Sequence, residues 1–135
     1  MPARLIVLLS LIFTSPSVFA QAGNMGPIVT DYGRSFFVED RDVPLVDGHQ
    51  YQVVFELVNY SMDMTVINRD LDRVARFLNA LAGQGVPLEN MDVVVVVLGR
   101  TLMSLLNDEA YEEKYGHKNP SLDLVNQLAE AGVEI

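Results

Sequence analysis

Five consecutive valines at residues 93–97 constrain this chain more than any other feature. β-Branched side chains favour an extended backbone, and a run without polar alternation reads as a strand covered on both faces, as in parallel sheets. Left open, such a run would invite pairing with other chains, so a central place in the sheet is expected.

The neighbouring segments supply partners for that strand. Residues 51–58 (YQVVFELV) are rich in β-branched and aromatic residues and have the length of a second strand. Between the two, Ile67, Leu71, Val74, Ala75, Leu78, Leu81 and Ala82 recur at the three-and-four spacing of one helical face. Asp70, Asp72, Arg73, Arg76 and Asn79 fall largely on the other face, and Phe77 is an apolar exception that implies a second contact. Asn68 is placed to cap this helix, and Gly83 or Gly85 to end it. After the valines, Asn107-Asp108-Glu109 opens a helix that has Lys114 near its end and Gly116 as its stop. Asn119-Pro120 predicts a cap and first position for another helix carrying Leu122, Val125, Leu128 and Ala129, ended by Gly132. Residues 133–135 then begin a third strand. The order is βαβαβ, which predicts an α/β fold: a three-layer α/β/α sandwich with a mainly parallel sheet over residues 51–135. Residues 21–50, punctuated by glycine and proline, predict an irregular N-terminal arm without helix.

Residues 1–20 stand apart. A positive start with Arg4, an almost unbroken apolar run of nine residues at 5–13 and a helix-breaking stretch ending in small residues form the three-part design of a signal peptide. Cleavage is expected after Ala20 or Ala22. The apolar run is far below the ~20 residues that span a bilayer, so export to the periplasm or beyond is expected, with no membrane attachment afterwards. Its loss removes Arg4 and no acid from a chain that has 9 basic and 18 acidic residues.

A chain of 135 residues with net charge −9 and half its residues hydrophobic predicts one acidic globular domain. Nucleic acid is an unsuitable partner, because a polyanion is repelled. The absence of cysteine excludes disulfides, thiolate catalysis and thiolate metal sites in this chain. Only His49 and His117 are present, each in a loop without a serine or carboxylate at catalytic spacing. Catalytic residues, metal ligands and a cofactor are therefore not expected. The pairs Asp108-Glu109 and Glu112-Glu113 read as helix-start and solvated-face charges rather than as catalytic carboxylates.

Ligands of open parallel sheets bind beyond the carboxyl ends of the strands. Asn59 follows the first strand, and Gly99, Arg100 and Thr101 follow the second. A glycine permits close backbone approach and an arginine can hold a small anion, so these four are the candidate ligand-binding residues. The competing reading is that Gly99 only turns the chain and Arg100 is solvated or ion-paired. No GxGxxG, P-loop or GxSxG pattern is present.

Residues 51–56 (YQVVFE), 68–79 (NRDLDRVARFLN), 85–92 (GVPLENMD), 106–111 (LNDEAY) and 119–135 (NPSLDLVNQLAEAGVEI), with 26–38 (GPIVTDYGRSFFV), resemble exported members of the DsrE/DsrF-like family. The resemblance implies a three-layer α/β fold, assembly into homo- or hetero-oligomers, with a homo-oligomer expected here, and a link to sulfur metabolism, by sulfur relay or by binding of sulfur compounds. Persulfide relay in that family uses cysteine. A cysteine-free chain is expected to lack this step and to act instead as a binder of a small sulfur-containing or anionic ligand, or as a non-catalytic assembly module. A third strand of three residues would leave the valine strand partly unpaired, so either a shortened chain or an oligomer covering this edge is expected.

Overall fold

The computed structural model describes residues 23–59 and 61–135. The signal-peptide reading of residues 1–20 lies outside the described residues.

Two strands pair in parallel in full register: β1 (Tyr51–Leu57) and β2 (Met91–Val97), with Tyr51 opposite Met91 and Leu57 opposite Val97. Side chains alternate across a strand, so this register gathers odd-numbered residues on one face and even-numbered residues on the other. The odd face is the core side. Leu57, Met91, Val93 and Val95 are buried there together with Leu71, Val74, Ala75 and Leu78 of helix α1 (Arg69–Gly83). Leu124 and Leu128 of helix α3 (Leu122–Glu130) complete the layer, with helix α2 (Asp108–Tyr115) preceding it in the chain. Each fully buried leucine or valine contributes about 1.5–3 kcal/mol of burial. The chain is thus a small mixed α/β domain built on a two-stranded parallel sheet.

The helices begin and end largely where their local chemistry directs. The Asn68 side chain accepts hydrogen bonds from the Asp70 and Leu71 N–H groups, and Gly85 follows the end of α1 at φ +92°. Asn107 caps α2 through the Ala110 N–H, and Gly116 closes it in a left-handed conformation. Phe77, off the main stripe of α1, meets Phe55 edge-to-face at 5.5 Å between ring centroids. This is its second contact.

Four expectations change. The valine strand is buried on its odd face only: Val93 and Val95 are inside, whereas Val96 and, across from Val94, Val54 are exposed. Glu134 pairs with Val94 on the far side of β2 from β1. The sheet therefore grows in one direction, and crossovers of one hand then lay α1 and α3 on the same side. The third strand is a single bridge at Glu134, although Val133 is buried in the core. The last helix starts at Leu122 rather than at Pro120, because the Asn119 side chain accepts from the Ser121 N–H and closes a turn ahead of it. Asn79, placed on the polar face of α1 by periodicity, is fully buried.

Its burial explains the arm. Residues 23–35 lie across α1, with Asn24 and Ser35 joined in an antiparallel bridge. Asn79 Oδ1 accepts from the Ile28 and Val29 N–H groups, and its Nδ2 donates to the carbonyls of Val29, Tyr32 and Gly33. Gly33 also donates its N–H to Asp72 Oδ1 at 2.8 Å. It sits at φ +64°, and a Cβ there would run into the backbone of α1 at Ala75 and Arg76, so only glycine fits. Replacing Asn79 by alanine strands these buried backbone groups. Asn79→Ala is expected to lower the unfolding free energy by about 2–4 kcal/mol, read by urea denaturation, and to open residues 23–35 to limited proteolysis.

Candidate functional site

The carboxyl end of β1 and the start of α1 border an open cavity of about 400 Å³ lined by Asn59, Ser61, Asn68, Arg69, Asp70 and Arg73. A buried polar network beneath it sets its floor. The Asn68 N–H donates to Ser121 Oγ and Asn68 Nδ2 donates to Ser104 Oγ, each at 2.9 Å. Asn119 Nδ2 donates in turn to the carbonyls of Ser104 and Leu106. Asn68, Ser104, Asn119 and Ser121 are all buried, so the start of α1, the 3-10 segment Gly99–Leu105 and the start of α3 are tied together inside the protein. Buried polar groups with full complements of partners are rigid, because each broken bond leaves an unpaired group in a poor dielectric.

Ser61, which lines the cavity, belongs to a loop closed by local bonds. Asp63 Oδ1 accepts from both the hydroxyl (2.6 Å) and the N–H (2.9 Å) of Thr65, and the Asp63 N–H donates to Ser61 Oγ. The buried Tyr111 of α2 donates its hydroxyl to the Met64 carbonyl and pins the loop from below.

The charge in the cavity comes from α1. Arg73 Nη1 lies 2.6 Å from the nearly buried Asp70 carboxylate. Arg69 is exposed and, among the described residues, has no carboxylate at ion-pair distance. Two guanidinium groups against one carboxylate leave a local excess of one positive charge in a chain of net charge −9. The first N–H groups of α1 are already taken by Asn68 Oδ1, so the arginines and the polar groups of Asn59 and Ser61 are the available donors.

The four residues singled out from sequence are separated by the fold. Asn59 lines the cavity. Thr101 is buried under it and donates its hydroxyl to the Asn59 carbonyl at 3.2 Å, which joins the two strand ends. Gly99, at φ +59°, turns the chain into the 3-10 segment with open space around it. Arg100 is exposed and its Nη1 lies 3.6 Å from Met62 Sδ, outside the cavity lining. Arg73 was read from the sequence only as part of the polar side of a helix, and Arg69 was not singled out. Their signal was available: they are one turn apart and directly follow the Asn68 cap, at the end of the helix that must face the strand's carboxyl end.

His49 packs edge-to-face on Tyr51 at 4.7 Å, and His117 lies 5.4 Å from the Tyr111 ring with Nδ1 2.9 Å from the Lys118 carbonyl. Among the described residues no group of three or more histidines and carboxylates is arranged to hold a metal ion. No described helix is long and apolar enough to cross a membrane.

Together these features define a class: a small α/β domain with an arginine-bearing cavity at the carboxyl end of its sheet. Compared with protein-family models, curated proteins and solved structures, the chain finds no match.

The loop that holds Ser61 carries a pH signature. The hydroxyl and then the N–H of Thr65 hold the Asp63 carboxyl below the ordinary aspartate range. A folded-state value below the unfolded one means that the turn's support is present above the unfolded value and fades as pH falls through the folded one. In a carboxyl-detected NMR titration Asp63 should protonate at a lower pH in the folded protein than in the urea-unfolded chain, and Thr65→Ala should raise its folded-state midpoint.

Proposed function

We propose that this protein is a binding module for a small oxyanion, held in the cavity at the carboxyl end of β1 by Arg69 and Arg73 with Asn59 and Ser61 as further donors. The observation that carries this reading is the local excess of guanidinium over carboxylate in a cavity of about 400 Å³ on an otherwise strongly acidic chain. Arginine presents a planar fork of donors that matches an oxyanion, and Asp70 holds Arg73 in place for it. The resemblance to exported DsrE/DsrF-like proteins directs the choice of ligand towards sulfur oxyanions such as sulfate and thiosulfate. It also supports export, homo-oligomers and a three-layer sheet as properties of the protein in its working form. Persulfide relay through a thiol of this chain is ruled out by the absence of cysteine, so binding rather than sulfur transfer is the function proposed.

The test is thermal unfolding with added salts at constant ionic strength. Thiosulfate or sulfate at about ten times its dissociation constant should raise Tm by about 5 °C relative to chloride. Arg69→Ala should abolish the rise without lowering Tm in chloride, because Arg69 is exposed and has no described ion pair. Arg100→Ala should retain it. A rise that survives Arg69→Ala but is lost in Arg100→Ala would move the site to the end of β2 and overturn this assignment.

A further inference from the structure

The even face of the sheet plays no part in the anion site. Val54 is 68% exposed and Val96 is 42% exposed, with the half-buried Val94 between them in the parallel register. Glu134 is the bridge partner of Val94 and so stands on the same face at the edge of β2 away from β1, while Glu56 on β1 and Asp92 at the start of β2 share the face by alternation. Among the described residues none of these three carboxylates has a cation at ion-pair distance. The face is therefore an apolar centre with an acidic rim. Parallel strands of this composition are ordinarily covered on both sides, and the odd side already carries α1 and α3.

We infer that this face docks an amphipathic helix of a partner protein, with apolar residues on one side and lysine or arginine flanking them. Charge complementarity decides the chemistry. A basic flank would neutralise Glu56, Asp92 and Glu134, whereas a second copy of the same face would press three carboxylates against three more, a repulsion made worse as water leaves. Length agrees. Seven strand residues run about 23 Å, which a helix of ~15 residues spans at 1.5 Å per residue. That is the length of α1, which has 15 residues and covers the opposite side. The docking face and the arginine cavity use different residues, so the two assignments stand or fall separately.

The probe is a synthetic 18-residue leucine/lysine helix of amphipathic pattern, with a leucine/glutamate helix of the same pattern as its counterpart. Titrated into the purified protein, the basic helix should bind one to one and slow amide exchange in β1 and β2, and the acidic helix should not bind. Val54→Lys should weaken binding at least tenfold by removing the apolar centre, and Glu56→Lys should weaken it through charge alone, with both variants judged by their unchanged circular dichroism. Arg69→Ala should bind as the parent does. Equal binding of both helices, or binding indifferent to Val54→Lys and Glu56→Lys, would overturn the proposal. So would sedimentation showing a dimer of the protein that Val54→Lys dissociates, since the occupant would then be a second copy.

Discussion

The amide of Asn68 is the point on which the end of the molecule at the carboxyl ends of the strands depends. Its oxygen caps α1, its nitrogen reaches Ser104 in the 3-10 segment after β2, and its backbone N–H reaches Ser121 at the start of α3. Three segments far apart in sequence therefore meet at one residue that is almost wholly buried. An uncompensated amide in such a place costs about 1–3 kcal/mol, so the network holds only while all its members are present. That condition places Arg69 and Arg73. They follow a cap that cannot shift without breaking contacts on two other segments.

A second buried amide does similar work at the other end of α1. Asn79 supplies both donor and acceptor to a stretch of arm that has little regular structure of its own. Such a segment has few ladder hydrogen bonds, and its backbone groups must be satisfied from elsewhere once they are covered. One asparagine on a helix meets much of that need, and the close passage at Gly33 lets the arm come near enough to use it. Side-chain amides thus fasten both ends of α1: Asn68 to the 3-10 segment and the start of α3, Asn79 to the arm.

The two surfaces proposed for binding follow from one topological fact. Strands added in a single direction with crossovers of one hand leave their helices on one face. The carboxyl ends of the strands then open beside the start of α1, where the arginines are, while the opposite face keeps its valines outward. The cavity is polar and carries local positive charge; the sheet face is apolar with an acidic rim. They call for ligands of opposite character, and the chain's overall negative charge makes the arginine cavity the exception.

The strands, the principal helix, its Asn68 cap and the parallel α/β character were legible from the sequence, because periodicity, β-branching and caps are local properties. The amphipathic stripe of α1 could be read because it has only one apolar face to bury. Three things could not be read locally. The valine run states that a strand is apolar on both sides, but which side receives helices depends on the direction in which the sheet grows. Asn79 looks like any polar helix residue until the arm is laid across it, and nothing in its neighbours announces that contact some fifty residues away. Asn59 and Thr101 were recognisable as strand-end residues, yet their union through one hydrogen bond, and the exclusion of Arg100 in favour of Arg69 and Arg73, arise where the 3-10 segment turns at Gly99. The sequence alone determined which segments are strand or helix and that the chain has no thiol chemistry, since those follow from side-chain type and spacing. Tertiary structure decided which polar residues are buried, which arginines share a cavity and which sheet face stays open, because each of these depends on contacts between segments distant in the chain.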